Sequence, residues 1–290
     1  MNKPKLSFWR IWNLSFGFLG VQIGYSLQNS NTSSIFESLG ADVSHLSYFW
    51  LAAPLAGMIV QPIVGLFSDG TWTRWGRRIP YILGGSLIST LALVLMPNCP
   101  KLLAFAPLAM GAFILLFMDL SFNVTMQPFR ALVADMLDDS QKTQGYVVQT
   151  FLINLGAVVG AILPLVMTWL GVSDEAAPEH VSPHIVYSYY AGGAILLLTV
   201  LVTSFKTREY PPGEFARYNN LSDEGGAKPV SFAGLMRNVP GVMVRLGVTQ
   251  FFSWAALFLM WTYLKPAITG VVTDHATGEV LSVSYTHLRA

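Results

Sequence analysis

The sequence predicts an all-α membrane protein of about seven spanning helices, and three observations carry that prediction. Of its 290 residues, 53% are hydrophobic and only 11% charged, whereas a soluble domain carries roughly 25% charged residues. Seven apolar windows reach the roughly 20 residues a helix needs to cross about 30 Å of hydrocarbon. Lysine and arginine crowd every second connection, as they do in a chain that threads back and forth through a bilayer.

The windows run over about residues 11–38, 46–68, 79–97, 102–131, 144–170, 184–205 and 243–265. The first follows "MNKPK" and could be taken for a cleaved leader. It is too long for one, and no small-residue cleavage site follows a short apolar core, so it reads as a retained helix. Lys3, Lys5 and Arg10 precede it, Arg74, Arg77 and Arg78 separate the second and third spans, and Lys142 separates the fourth and fifth. Lys206, Arg208, Arg217, Lys228, Arg237 and Arg245 follow the sixth. The other connections are "GADVS", one with Lys101 alone, and the acidic "GVSDEAAPEHVSPH". The bias places the N-terminus in the cytoplasm, in a multi-pass protein of the cell inner (plasma) membrane.

Six closely spaced spans are followed by a polar connection containing Pro211, Pro212 and the Gly225-Gly226 pair, which is linker composition. The predicted organisation is therefore a six-helix bundle over 1–205, an inter-bundle linker over 206–242, the first helix of a truncated second bundle over 243–271, and a loop with an artefactual tail over 272–290. Residues from about Ser282 ("SVSYTHLRA") are expected to carry no function. Transporters built from two six-helix halves joined by a cytoplasmic link have this plan.

Composition also excludes function classes. The net charge is +1 with scattered basic residues, which gives no surface for nucleic acid. The single cysteine, Cys99, forms neither an internal disulfide nor a thiolate metal site and is expected to be a small buried thiol. His45, His180, His184, His275 and His287 show no ligand spacing, so no metal and no cofactor is expected. No nucleophile constellation suggests an enzyme. The sequons at Asn31 and Asn123 lie within apolar spans and are set aside.

The stretch "GLFSDGTWTRWGRRIPYI", Gly65 to Ile82, carries the most specific pattern. Gly65 and Asp69 are four residues apart, so they share one face at the end of the second span. A glycine there permits close approach of a neighbouring helix, and Asp69 can pair with a cation or cap a helix N-terminus. Gly76, Arg77 and Arg78 lead into the third span. This string resembles the loop signature of the major facilitator superfamily, where it serves as a gate latch. The seven residues from Asp69 to Gly76 exceed the usual spacing, and "TRWGRRIPY" is similar to the form in sucrose/proton symporters and the related glycoside-pentoside-hexuronide cation symporters.

Further stretches resemble the same branch: "GVQIGYSLQNS" in the first span, "LAAPLAGMIVQPIVG" with Pro54 and Pro62 in the second, and "QFFSWAALFLMWTYLKPAI" in the seventh. The fourth span has the order Asp119, Asn123, Gln127, Pro128, Arg130, Asp135. The resemblance covers nearly all of residues 8–271. It implies a major facilitator fold, with the first six-helix bundle and the opening helix of the second.

At 100° per residue, with Asp119 at zero, Arg130 falls at about 20°, Asn123 at about 40° and Gln127 at about 80°. One polar stripe results, opposite Leu132. Asp119 and Arg130 are separated by about 16 Å along the axis, too far for a direct salt bridge, so each must find its own partner or meet water. A stripe of this kind suits a central aqueous cavity. The resemblance implies proton coupling by Asp119 and sugar contact by Arg130, whose planar array of donors suits hydroxyls.

A sugar site needs amides, hydroxyls and aromatic faces. The first span offers Gln22, Tyr25, Gln28, Asn29, Asn31 and Thr32, and Gln149, Asn154, Gln250, Trp254 and Trp261 could complete the wall. Gln22, Gln28, Asn29, Asn123, Gln127, Arg130, Asn154 and Trp254 are the candidate sugar contacts. For each the alternative is interhelical glue. The expected activity is import of a disaccharide or other glycoside, of sucrose or maltose type, coupled to protons by alternating access in a monomer. Its partners are the sugar, the proton and the lipid bilayer. The alternatives are a sodium- or proton-coupled symporter of another glycoside class and, from a different class, a seven-helix receptor. Against a retinal protein, Lys265 lies at the end of its span beside Pro266.

Overall fold

The computed structural model describes residues 3–40, 46–103, 105–175, 180–219 and 239–271, with the side chains of Glu37, 46–56 and 258–271 excepted. His45, the Gly225-Gly226 pair, the tail from Ser282 and the side chains of Pro54 and Trp261 lie outside the described residues. The chain divides into two units, Met1–Asp223 and Glu224–Ala290.

In the first unit, α1 spans Phe8–Ser38, α2 Leu46–Gly70, α3 Ile79–Leu95, α4 Pro107–Met136, α5 Asp139–Trp169, α6 Pro183–Lys206 and the short α7 Pro212–Tyr218. A 3-10 turn, Met96–Asn98, and a single α-turn, Cys99–Leu102, extend α3. Cys99 is buried. Among the described residues, four stretches are long and apolar enough to cross a membrane: Ile79–Leu102, Pro107–Met136, Asp139–Trp169 and Pro183–Lys206. The helix α1 occupies another predicted window, but its run of polar residues from Gln28 to Ser34 lowers its apolarity.

Local chemistry sets the helix ends. Proline occupies the first turn of α3, α4, α6 and α7, where its missing N–H costs nothing and its fixed φ suits the helix. The predicted fifth window opened at 144, yet α5 starts at Asp139. Asp138 caps it, accepting from the Ser140 N–H at 3.1 Å and the Ser140 hydroxyl at 2.6 Å. Helical propensity thus carries α5 through a polar first turn that apolarity alone had excluded.

The centre of the bundle is α1, which packs against α5 and α6, while α3 and α2 flank α4. The α1–α5 crossing depends on Gly156 and Gly160: a Cβ on either would lie 2.4 or 2.5 Å from the backbone oxygen of Leu19 or Ile23. Small residues one turn apart allow this backbone approach in a lipid environment, where packing rather than water drives association. The core holds the stacked rings of Phe18 and Phe129, 5.3 Å apart, with Phe122, Leu27, Leu196 and Tyr189. Between α1 and α6 the Thr203 hydroxyl accepts from the Gly17 N–H at 2.7 Å and donates to the Asn13 carbonyl at 2.9 Å, so it stands inside the helical ladder of α1.

Outward faces are apolar. Leu87, Ile88 and Leu91 of α3 and Val147, Phe151, Val158 and Ile162 of α5 are exposed, as lipid-facing residues should be. In the second unit α8 spans Gly241–Val271 and carries Gln250 and Trp254.

Candidate functional site

Two constellations of polar groups stand out in the first unit. The first is built on α4. Asp119 is buried, and one of its carboxylate oxygens accepts a hydrogen bond from the buried Gln28 amide of α1. The Asp119 backbone carbonyl accepts from the Asn123 amide at 2.8 Å, and the Asn123 side-chain oxygen accepts from Gln61 of α2 at 2.6 Å. A chain of amides therefore runs from α1 through α4 to α2. Gly57 leaves room beside it, 3.3 Å from the Asn123 oxygen to where a Cβ would stand.

Within that network the second carboxylate oxygen of Asp119 and the side-chain oxygen of Gln28 are buried and have no hydrogen-bond partner among the described residues. An unsatisfied buried polar group costs roughly 1–3 kcal/mol. Two acceptors facing no donor form a place that a proton, or a hydroxyl group, would relieve.

The other candidates are dispersed. Gln22 and Gln127 are half-buried, and Gln22 lies beside Gly156 at the α1–α5 crossing. Asn29 and Arg130 are exposed. Asn154 is exposed, and its amide donates to the Thr150 carbonyl of its own helix at 2.8 Å. Gln149 donates to the Phe129 carbonyl at 3.1 Å in the α4–α5 interface, which is glue. Trp254 is exposed within its own unit. Gln28 and Asn123 thus join Asp119, and Gln61 joins them unannounced. Gln61 stands eight residues before Asp69 in the second span, and its polarity within an apolar run was the available signal.

The second constellation is the loop between α2 and α3. Arg78 donates to Asp69 at 2.5 Å, to Ser68 at 2.5 Å and to Asp135 at 2.9 Å, while Arg77 donates to Asp135 at 2.5 Å. The Arg77 and Arg78 side chains are only 9% and 6% exposed, against 55% for Asp69 and 19% for Asp135. Asp135, at the end of α4, is therefore the shielded counter-charge of both arginines. Gly65 has open space where a Cβ would be, so the close approach expected there is not made among the described residues.

Of the two roles open to Asp69, the structure assigns cation pairing. Capping belongs to Glu209, which sequence reasoning missed. Its carboxylate accepts from the successive backbone N–H groups of Arg77 at 3.0 Å, Arg78 at 2.8 Å and Ile79 at 2.9 Å, satisfying the free donors that open α3. An isolated acid between Arg208 and the prolines was the signal. The Arg77 guanidinium also lies 4.2 Å above the Phe215 ring of α7 and 5.6 Å from Trp72. The segment after α6 is thereby tied to the loop.

Comparison with known proteins adds the family. The family model described as MFS/sugar transport protein matches residues 35–277. The chain is 25% identical to the general alpha-glucoside permease of Schizosaccharomyces pombe over 279 residues, covering 91% of this chain and 48% of that protein. It is 25% identical to the sucrose transport protein SUT5 of Oryza sativa subsp. indica over 283 residues, 87% of this chain and 51% of that one. Against the sucrose transport protein SUC4 of Arabidopsis thaliana it is 27% identical over 259 residues, 82% of this chain and 50% of that one. The chain spans about half the length of the curated relatives it matches. With these matches and its apolar helices, this multi-pass membrane chain belongs to the MFS/sugar transport protein family.

Proposed function

We propose that the chain supplies the first bundle of a proton-coupled glycoside importer, with a cargo of sucrose or maltose type. The observation that carries this reading is the buried Asp119, bonded through one oxygen to Gln28 and left without a partner on the other. Relatives named as sucrose transport proteins and as an alpha-glucoside permease support the cargo class.

In this reading Asp119 accepts a proton on its unpaired oxygen when the path opens to the acidic side and releases it when the path opens to the other. The Gln28 amide fixes the carboxylate in place, and Asn123 and Gln61 tie that part of α4 to α2. Arg130, Asn29, Gln22 and Gln127 meet the sugar hydroxyls, with Asn154 and Trp254 as further contacts. Residues 206–242 link the two bundles, 243–271 open the second, and the protein works as a monomer in the inner (plasma) membrane with its N-terminus in the cytoplasm. The latch of Asp69, Gly76, Arg77, Arg78 and Asp135 then holds the cytoplasmic ends of α2, α3 and α4 together during one half of the cycle.

The test uses the complete coding product that contains this chain, reconstituted in vesicles. Asp119→Asn is expected to abolish sugar accumulation driven by a pH gradient while leaving downhill exchange of labelled sugar measurable. Undiminished accumulation overturns the assignment.

A further inference from the structure

At the end of α3 remote from the latch lies a cavity of about 280 Å³, a size near the lower limit of small-molecule sites. Asn98, Lys101, His180, Val186, Tyr187 and Tyr190 are among the residues that line it. No carboxylate lines it among the described residues. It is separate from the Asp119 network, which none of these residues joins.

Two of its polar groups, Lys101 and Tyr190, offer donors. Lys101 is exposed and brings an ammonium with three N–H bonds. The Asn98 amide donates to the Tyr190 hydroxyl at 2.6 Å, and its other hydrogen goes to the Val94 carbonyl at 2.7 Å. Because the Tyr190 oxygen is already accepting, its own hydrogen is left to donate. Such a lining suits an oxyanion.

Its apolar surroundings suit a chain. On α3 the exposed Leu87, Leu91 and Val94 repeat at helical spacing towards Asn98. On α6 the exposed Tyr187 and Leu198 lie on one face, eleven residues apart. The two helices cross where the Cβ position of Gly193 is 3.5 Å from Thr90. Two apolar stripes thus lead away from a donor-lined cavity at the level where the spans end.

We propose that this cavity binds the phosphate headgroup of an anionic membrane lipid, whose acyl chains lie along the exposed stripes of α3 and α6. A glycerol phosphate free in solution presents the same phosphate oxygens but has no use for the stripes. Tyrosine at this depth is in its favoured place, with the ring against hydrocarbon and the hydroxyl at the headgroups.

The test is native mass spectrometry of the purified full chain in detergent, with phosphatidylglycerol and phosphatidylcholine added in equal amounts. One phosphatidylglycerol should be retained in about fivefold excess, the effect of one basic residue at an anionic surface. Lys101→Gln should abolish that preference, whereas Lys142→Gln, at the opposite end of the bundle, should leave it unchanged. Equal retention of the two lipids overturns the proposal, as does loss of preference in both variants or in neither. Displacement of the lipid by glycerol phosphate at an equal concentration also overturns it, and identifies a soluble-phosphate site instead.

Discussion

The Glu209 carboxylate occupies the space a side chain on Gly76 would need: a Cβ at Gly76 would lie 2.5 Å from its nearer oxygen. Gly76 also has φ +113°, a backbone conformation that other residues rarely adopt. Two independent constraints therefore fix glycine at this position.

Gly76→Ala must strain the backbone and expel Glu209 from its three N–H donors. A loss of about 2–4 kcal/mol is expected, combining a strained φ with a lost helix cap. Thermal unfolding of the purified chain in detergent reads it. Glu209→Gln keeps an acceptor oxygen and should lose less than Glu209→Ala; the reverse order would place the stabilisation outside the cap.

The two carboxylates that meet Arg77 and Arg78 should differ in weight. Asp135→Asn leaves two shielded guanidinium groups short of a counter-charge, with an expected cost of roughly 3–5 kcal/mol. Asp69 is more than half exposed, so Asp69→Asn should cost only about 0–1 kcal/mol. Equal shifts in unfolding temperature would contradict the assignment of Asp135 as the principal partner.

Acid should weaken the start of α5 through Asp138. Hydrogen bonds from the Ser140 hydroxyl and backbone, in that order of size, hold its carboxyl below the ordinary range. A depressed folded-state value stabilises above the unfolded value of about 3.9, and the contribution disappears as pH falls through the lower folded value. The stability gap between the native chain and Asp138→Ala should be constant near neutrality and close progressively below about pH 4. Denaturant titrations across that window measure it, and a gap independent of pH would remove the carboxylate from the cap.

Glycines of equal appearance in the sequence should respond oppositely. Gly160→Val forces the α1–α5 crossing apart, since a Cβ already meets the Ile23 carbonyl, and should prevent stable folding. Gly65→Ala meets open space and should gain up to about 1 kcal/mol from helix propensity. Thermal unfolding of both variants in detergent checks the contrast, and a loss of stability in Gly65→Ala would show that the space beside Gly65 is filled in the folded protein.

The chain's helices were largely legible because apolarity and prolines act locally: the windows at 79–97 and 184–205 match α3 and α6 to within a few residues. The arginine–carboxylate cluster was half legible. Gly65, Asp69 and the two arginines share one short string, but Asp135 lies 58 residues from Arg77 and Glu209 lies 132 residues from it. Only folding brings these carboxylates to the arginines and to the α3 amides. The buried network had a similar limit. Periodicity aligned Asp119 with Asn123 on α4, but it could not orient α1 or α2 against them, so neither the Gln28–Asp119 bond nor the part of Gln61 could be read from it. Gln149 and Asn154, five residues apart on α5, show the same ambiguity, because one turns into the helix interface and the other away from it.

The Thr203 hydroxyl within α1 has a mechanical consequence. The Gly17 amide and the Asn13 carbonyl are each served from outside their own helix, so bending at that point need not strand either group. The innermost helix of the bundle thus contains a lubricated joint, with α6 supplying the bearing.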